Sequence, residues 1–134
     1  MKLPSITKLK IAQKLPLVLI GSALVVGVGI GVTAYIIGGQ TADDRSQDIR
    51  GQTQQTLAKI EKFLAEAGTD KSRLLTAQIW IKDLKADFAG MNEVWDAWTA
   101  PGAASTRATA QCEMGAPDVL VEIIVTAAVG KTVA

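Results

Sequence analysis

The apolar and polar residues divide the chain into two parts. From Leu15 to Ala42 no side chain is charged, and residues 15–38 are almost continuously apolar. As a helix, that run would span about 36 Å, enough to cross a hydrocarbon core of about 30 Å. The preceding residues, 1–14, contain four lysines and no acid. The pattern therefore predicts a basic cytoplasmic flank (1–14), a single transmembrane helix (15–38) and a separate domain (39–134).

The same apolar run also fits another structure. It is rich in Val and Ile, which favour strands, and in Gly, which is a poor helix former. Periodicity does not separate a membrane helix from buried strands in so apolar a segment. Residues 15–38 therefore have a second interpretation, as N-terminal strands of a sheet. The first interpretation predicts a single-pass membrane protein of a bacterium, and the second predicts a cytoplasmic one.

The remainder of the chain alternates helical and strand periodicity. A helix is predicted from a cap at Ser46 or Asp48 to Ala67, with Gly68 as its end. Residues 72–82 alternate as a strand, and a second helix follows with an apolar stripe formed by Phe88, Met91, Trp95 and Trp98. Two more strands, 107–114 and 119–129, flank a turn at residues 115–118. This order predicts an α+β sandwich with both helices on one face of the sheet.

Composition removes several classes of chemistry. The 134 residues include no His and one Cys. Catalytic triads that use His, His-ligated zinc and intrachain disulfides are therefore excluded. The net charge of +1 argues against a general nucleic-acid binder. Chemistry in this chain depends on Arg, Asp, Glu, backbone groups and bound water.

Several segments after residue 38 resemble one family. They are the Gly39-Gln40 entry, the helix QTQQTLAKIEKFLAEAG, the strand SRLLTAQIWIKDL, the helix MNEVWDAW, and Arg107 followed fifteen residues later by Glu122 in VLVEIIVTAAV. With these segments, residues 39–134 resemble the Rid (YjgF-type) family of enamine/imine deaminases. Residues 1–38 resemble the first transmembrane segment of a bacterial methyl-accepting chemoreceptor.

The resemblance to the Rid family implies a chorismate-mutase-like sandwich that assembles as a homotrimer with pockets between subunits. It implies hydrolysis of reactive 2-imino or enamine acids to 2-keto acids and ammonia, without a cofactor or metal. The implied partners are a small carboxylate substrate and the other copies of the chain, and no nucleic acid.

Four residues take site roles through this resemblance. Arg107 would clamp the substrate carboxylate, a role that suits its planar and permanently charged guanidinium. Glu122 would orient the hydrolytic water or exchange protons with it. The backbone at Thr109 would help to hold that water, and Asn92 would lie near the pocket. An ion pair between Glu122 and Arg107 that only closes the trimer is the structural alternative.

Two departures from the family pattern leave other functions open. The family's N-terminal strands, which supply a tyrosine to the pocket rim, have no clear counterpart, and Thr109 stands where many family members have cysteine. The alternatives are a non-catalytic, membrane-anchored module that binds small carboxylates, and a truncated fusion product without activity of its own.

Overall fold

Two helices pack on one face of a six-stranded sheet in the computed structural model, which describes residues 17–20, 23–28 and 32–130. The strands run in the spatial order β1-β2-β3-β6-β4-β5. All neighbouring strands are antiparallel except β4 and β5, which are parallel and joined through α2. The elements are β1 (Leu17–Ile20), β2 (Ala23–Val28), β3 (Val32–Gln40), α1 (Ile49–Glu66), β4 (Leu74–Ile81), α2 (Leu84–Trp98), β5 (Thr106–Gln111) and β6 (Val121–Val129).

Helix α1 begins and ends where the sequence predicts. The Asp48 carboxylate accepts a hydrogen bond of 2.9 Å from the backbone N–H of Gly51, which caps the helix. Gly68 follows the last turn with a φ of 73°, a conformation that favours glycine. One side of the helix is apolar and packs against the sheet, where Ile49, Leu57, Ile60 and Leu64 are buried.

Helix α2 approaches α1 closely at a glycine. A Cβ added to Gly90 would lie 2.8 Å from Cγ2 of Ile49, so only glycine fits at this crossing. Met91 and Trp95 of the predicted aromatic stripe are buried, whereas Phe88 is 40% exposed. The stripe is therefore core at its centre and open at its N-terminal end.

Strand β4 departs from the predicted alternation of buried and exposed side chains at one residue, Leu75. Ala77, Ile79 and Ile81 are buried as expected, but Leu75 is 44% exposed. The register of β4 against β6 shifts between Leu74 and Thr76, which leaves Leu75 unpaired and turns it out of the core.

The N-terminal apolar segment is the main correction. The structure describes residues 17–20, 23–28 and 32–40 as strands β1, β2 and β3, so the transmembrane helix predicted for residues 15–38 is wrong there and the strand alternative holds. Within the described part of the chain, no helix combines the length and apolar character needed to cross a bilayer. The physical reason lies in the composition of the segment. Val and Ile favour strands, and Gly disfavours a helix, so the segment pairs with neighbouring strands. The flank 1–14 lies outside the described residues.

Strand β3 joins this segment to the rest of the sheet. It pairs along β6, with Ile37 opposite Val125, and it crosses the predicted boundary between residues 38 and 39. The expectation that the N-terminal strands lack a counterpart is therefore also wrong. Tyr35, the single tyrosine of the chain, lies in β3 and is fully buried in the core.

The two faces of the sheet differ in how they are covered. Side chains on the helix face are fully buried in β6, namely Val121, Ile123, Val125 and Ala127. On the opposite face no described helix covers the sheet, and Ile36, Trp80 and Ile124 are only partly buried. This second face is open in a single chain and carries polar side chains, such as Gln78, Glu122 and Thr126, beside the apolar ones.

Candidate functional site

Arg107 lies on the edge strand β5 and leans over an aromatic ring. It pairs with Ala77 of β4, whose side chain is in the core, so Arg107 lies on the helix face of the sheet. Its guanidinium carbon is 5.6 Å from the centre of the Trp95 ring, within the range of a cation–π contact. Arg107 is exposed and forms no salt bridge to a described residue. The ring supports the guanidinium and leaves its N–H donors available.

Glu122 lies on the opposite face of the sheet. It belongs to β6 and lies opposite Trp80 of β4. Its neighbours Val121 and Ile123 point into the core, so the side chain of Glu122 points away from the helices. The side chain is half-buried and folds over the backbone of Gly39, where an added Cβ would be 2.0 Å from Oε1. No described cation forms a salt bridge with Glu122.

The two principal site residues cannot meet within one chain. Strand β4 separates β5 from β6, which puts them two strand spacings, or about 9.5 Å, apart. Trp80 pairs with both Ala110 and Glu122, and Arg107 precedes Ala110 by three residues, or about 10 Å along the strand. They also lie on opposite faces. An ion pair between Arg107 and Glu122 of the same chain is thus excluded by the sheet.

Thr109 and Asn92 lie on the side of Arg107. Thr109 pairs with Ile79 and therefore shares the helix face, and its buried Oγ1 has no hydrogen-bond partner among the described residues. Asn92 of α2 donates from Nδ2 to Asp96 at 2.8 Å, while its Oδ1 is buried without a described donor. A buried polar atom without a partner is costly, so both oxygens are positions where a water or ligand group would be stabilised.

A cleft elsewhere on the chain does not include these residues. It has a volume of about 620 Å³ and lies at the ends of β4 and β5, lined by Lys82, Cys112 and the loop 113–117. Cys112 is half-buried there. Within the described ranges, no group of three or more acidic or Cys side chains could hold a metal ion. The cleft is therefore separate from the predicted site residues.

Sequence reasoning missed two residues of the site. The apolar stripe of α2 predicts Trp95 to lie in the core, and it is buried there, but its ring also supports Arg107. Gly39 belongs to one of the family segments, and the sequence does not indicate that it provides the space for Glu122. Neither contact has a local sequence signal, because each joins residues from different elements.

The comparisons with known proteins agree on one family. The model of the family described as Endoribonuclease L-PSP (Ribonuc_L-PSP) matches residues 22–129, which include part of the segment first assigned to the membrane. A RutC family protein of Haemophilus ducreyi is 44% identical over 91 residues, covering 68% of this chain and 77% of that protein. The RutC family protein YoaB of Escherichia coli is 41% identical over 97 residues, covering 72% and 82%.

Solved structures show the same fold. NMB1025 of Neisseria meningitidis, described as a member of the YjgF family, has a TM-score of 0.72 and 35% identity, and the match covers 81% of this chain and 87% of that one. A protein of Pseudomonas aeruginosa has a TM-score of 0.69 and 40% identity, with coverages of 72% and 87%. These comparisons support the predicted resemblance of residues 39–134, and they give no support to the chemoreceptor resemblance of residues 1–38.

Proposed function

Because the chain belongs to the Ribonuc_L-PSP (RutC/YjgF) family, we propose that it hydrolyses 2-imino and enamine acids to 2-keto acids and ammonia. The observation that carries the proposal is the exposed guanidinium of Arg107, supported by Trp95 and without an ion-pair partner among the described residues. An arginine held in this way is suited to bidentate binding of a carboxylate. The substrate is therefore a small organic acid.

The site is composite and requires more than one copy of the chain. Arg107 and Glu122 are on opposite faces of one sheet, so a small substrate can touch both only if they come from different copies. The uncovered face of the sheet, where Ile36, Trp80 and Ile124 lie partly buried beside Glu122, is a surface that a second copy would cover. In a homotrimer with three-fold symmetry, each interface joins one surface of a copy to a different surface of the next copy. Such an assembly can bring Arg107 of one copy to Glu122 of another and can cover the open face of each sheet.

The reaction needs only water and a proton carrier. Arg107 holds the substrate carboxylate, and a water adds through its oxygen to the imine carbon C2 as Glu122 takes one of its protons. Glu122 returns that proton to the nitrogen, which completes the carbinolamine. Glu122 then takes the proton of the new hydroxyl group and passes it to the amino group, the C–N bond breaks, and ammonia leaves as C2 becomes a carbonyl. An enamine first takes a proton at C3 to become the imine. Thr109 and Asn92 contribute by holding water near the carboxylate end of the substrate.

Replacing Arg107 tests the proposal directly. With a 2-imino acid released in situ by an amino-acid oxidase, Arg107→Ala is expected to lower kcat/KM by about 100-fold, because a charge-assisted bidentate contact is lost. Arg107→Lys retains the charge without the fork and should recover part of the loss. The measurement is 2-keto acid formation above the uncatalysed rate.

Arg50→Ala is the matched control. Arg50 is an exposed arginine of α1 that pairs with Glu93 at 2.7 Å, far from β5 in the sequence. Its loss should leave turnover unchanged. Unchanged turnover in Arg107→Ala would refute the role of this residue, and a wild-type protein that binds a 2-keto acid by calorimetry without turnover would favour a carboxylate-binding module.

Cleavage of RNA is the activity named by the family description. The chain has no His, so it lacks the usual side chain for acid–base catalysis near neutral pH. Its net charge of only +1 is unfavourable for binding a phosphodiester backbone. We expect single-stranded RNA to remain intact under conditions where imine hydrolysis is measured.

A further inference from the structure

Strand β3 contains a bulge at a pair of glycines. Ile37 pairs with Val125 and Gln40 pairs with Ile123, so three steps along β3 match two along β6. The extra residue therefore falls within Gly38 and Gly39. The buried side chain of Gln40 donates from Nε2 to the carbonyl of Gly38 at 3.0 Å, which ties the bulge to the strand.

The carboxyl group of Glu122 fills the space that Gly39 leaves. A Cβ built on Gly39 would be 2.0 Å from Oε1, 2.7 Å from Cδ and 3.1 Å from Cγ of Glu122. These are far inside van der Waals contact, and the clash involves the whole end of the side chain. Any residue other than glycine at this position would move the carboxylate.

Backbone conformation does not explain the glycine. The described glycines with positive φ are Gly68, Gly102 and Gly130, and Gly39 is not among them. An alanine could therefore adopt the backbone angles of Gly39, and its side chain would be accommodated by displacement of the end of the Glu122 side chain. The effect expected of an alanine at this position is therefore on the neighbouring carboxylate.

We propose that Gly39 is a positioning residue that aligns the Glu122 carboxylate for proton transfer, with Gln40 holding the bulge that brings it there. The inference rests on the proposed function, because it assigns the geometry of the proton carrier in the same site. Without an ion-pair partner among the described residues, Glu122 depends on shape for its orientation. Misplacement of a reacting group by about 1 Å is enough to lower a rate by about 100-fold.

The test combines Gly39→Ala with changes at Glu122. Gly39→Ala is expected to lower kcat by about 10- to 100-fold with little change in KM, because Arg107 still binds the substrate. In Glu122→Ala, which removes every Glu122 atom that the added Cβ would meet, adding Gly39→Ala should cause no further loss of the residual turnover. A purely structural role of Gly39 would instead lower both backgrounds equally, and that result would overturn the inference.

Gly115→Ala is the matched control, because nothing lies within 4 Å of the Cβ it adds. It should change neither kcat nor the melting temperature. Full activity of Gly39→Ala beside an active wild type would refute the positioning role and leave the proposed function intact.

A readout without turnover separates the two proposals. The ¹³C resonance of the Glu122 carboxyl, assigned by its absence in Glu122→Gln, should shift in Gly39→Ala and stay in place in Gly115→Ala. An inactive wild type with this shift would refute the deaminase function and support the control of Glu122 by Gly39. An unmoved resonance in Gly39→Ala would refute the inference whatever the activity.

Discussion

Tyr35 carries a buried hydroxyl group without a hydrogen-bond partner among the described residues. Removing an unsatisfied buried group while keeping the shape of the ring is neutral or stabilising. Tyr35→Phe is therefore expected to raise the free energy of unfolding by roughly 1 kcal/mol, measured by chemical denaturation at neutral pH. A lower stability of Tyr35→Phe would show that the hydroxyl has a partner.

The same residue gives the protein a stability limit at high pH. Burial raises the pKa of Tyr35 above its ordinary value of 10.0, and the negative charge of Glu66 raises it further. In the unfolded chain the phenol ionises near pH 10, so the stability linked to its protonated form is complete below that pH and is lost as the pH rises from there through the higher pKa of the folded state. The wild type should lose more stability than Tyr35→Phe in this range, and phenolate absorbance reports on this residue alone because the chain has no other tyrosine.

At the scale of elements, Gln52 joins the start of α1 to the loop before β6. Its side chain is fully buried, and Nε2 lies within hydrogen-bond distance of the carbonyls of Arg45, Gln47 and Asp118, at 3.0–3.1 Å. Its Oε1 accepts from the backbone N–H of Leu120 at 3.0 Å. One buried amide thus provides hydrogen-bond partners for backbone groups of two loops.

Gln52→Leu keeps the size of the side chain and removes all of these hydrogen bonds. We expect the free energy of unfolding to fall by about 2–3 kcal/mol, because the backbone groups are left without partners. Thermal denaturation followed by circular dichroism measures the change. Gln54→Leu, on the exposed side of the same helix, is the control and should be nearly neutral; an equal loss in both variants would contradict the role of Gln52.

The elements that the sequence predicts well are those whose limits are set by nearby residues. Asp48 and Gly68 determine the ends of α1 through local capping, and the periodic apolar residues of β4 and α2 identify them. The bulge that exposes Leu75 depends on how β4 pairs with β6, which is more than forty residues away. Arg107 and Glu122 could be named from their spacing within a family segment, whereas their placement on opposite faces requires the register of three strands.

At the scale of the whole molecule, the proposed site combines Arg107 of one copy with Glu122 of another. If the site forms between copies, mixing Arg107→Ala with Glu122→Gln should restore activity that neither variant has alone. With random 1:1 assembly into trimers, about a quarter of the interfaces combine an intact Arg107 with an intact Glu122. The two variants are refolded together and compared with each refolded alone, and an absence of recovered turnover would contradict a site shared between copies.

The N-terminal segment shows why the overall architecture was harder to predict than its parts. Uncharged residues from Leu15 to Ala42 satisfy the requirements of a membrane helix and of buried strands equally. The choice depends on a partner strand, and for β3 that partner is β6, near the other end of the chain. No window of local sequence contains both.

The pairing of β3 with β6 has a consequence for biosynthesis. Ile37 leaves the ribosome 88 residues before Val125, the residue opposite it in the sheet. During that interval the uncharged segment 15–42 has no β6 to pair with, and it presents the apolar pattern that the membrane-insertion machinery reads. The first strands therefore remain without this partner, and open to competing contacts, until β6 has been synthesised.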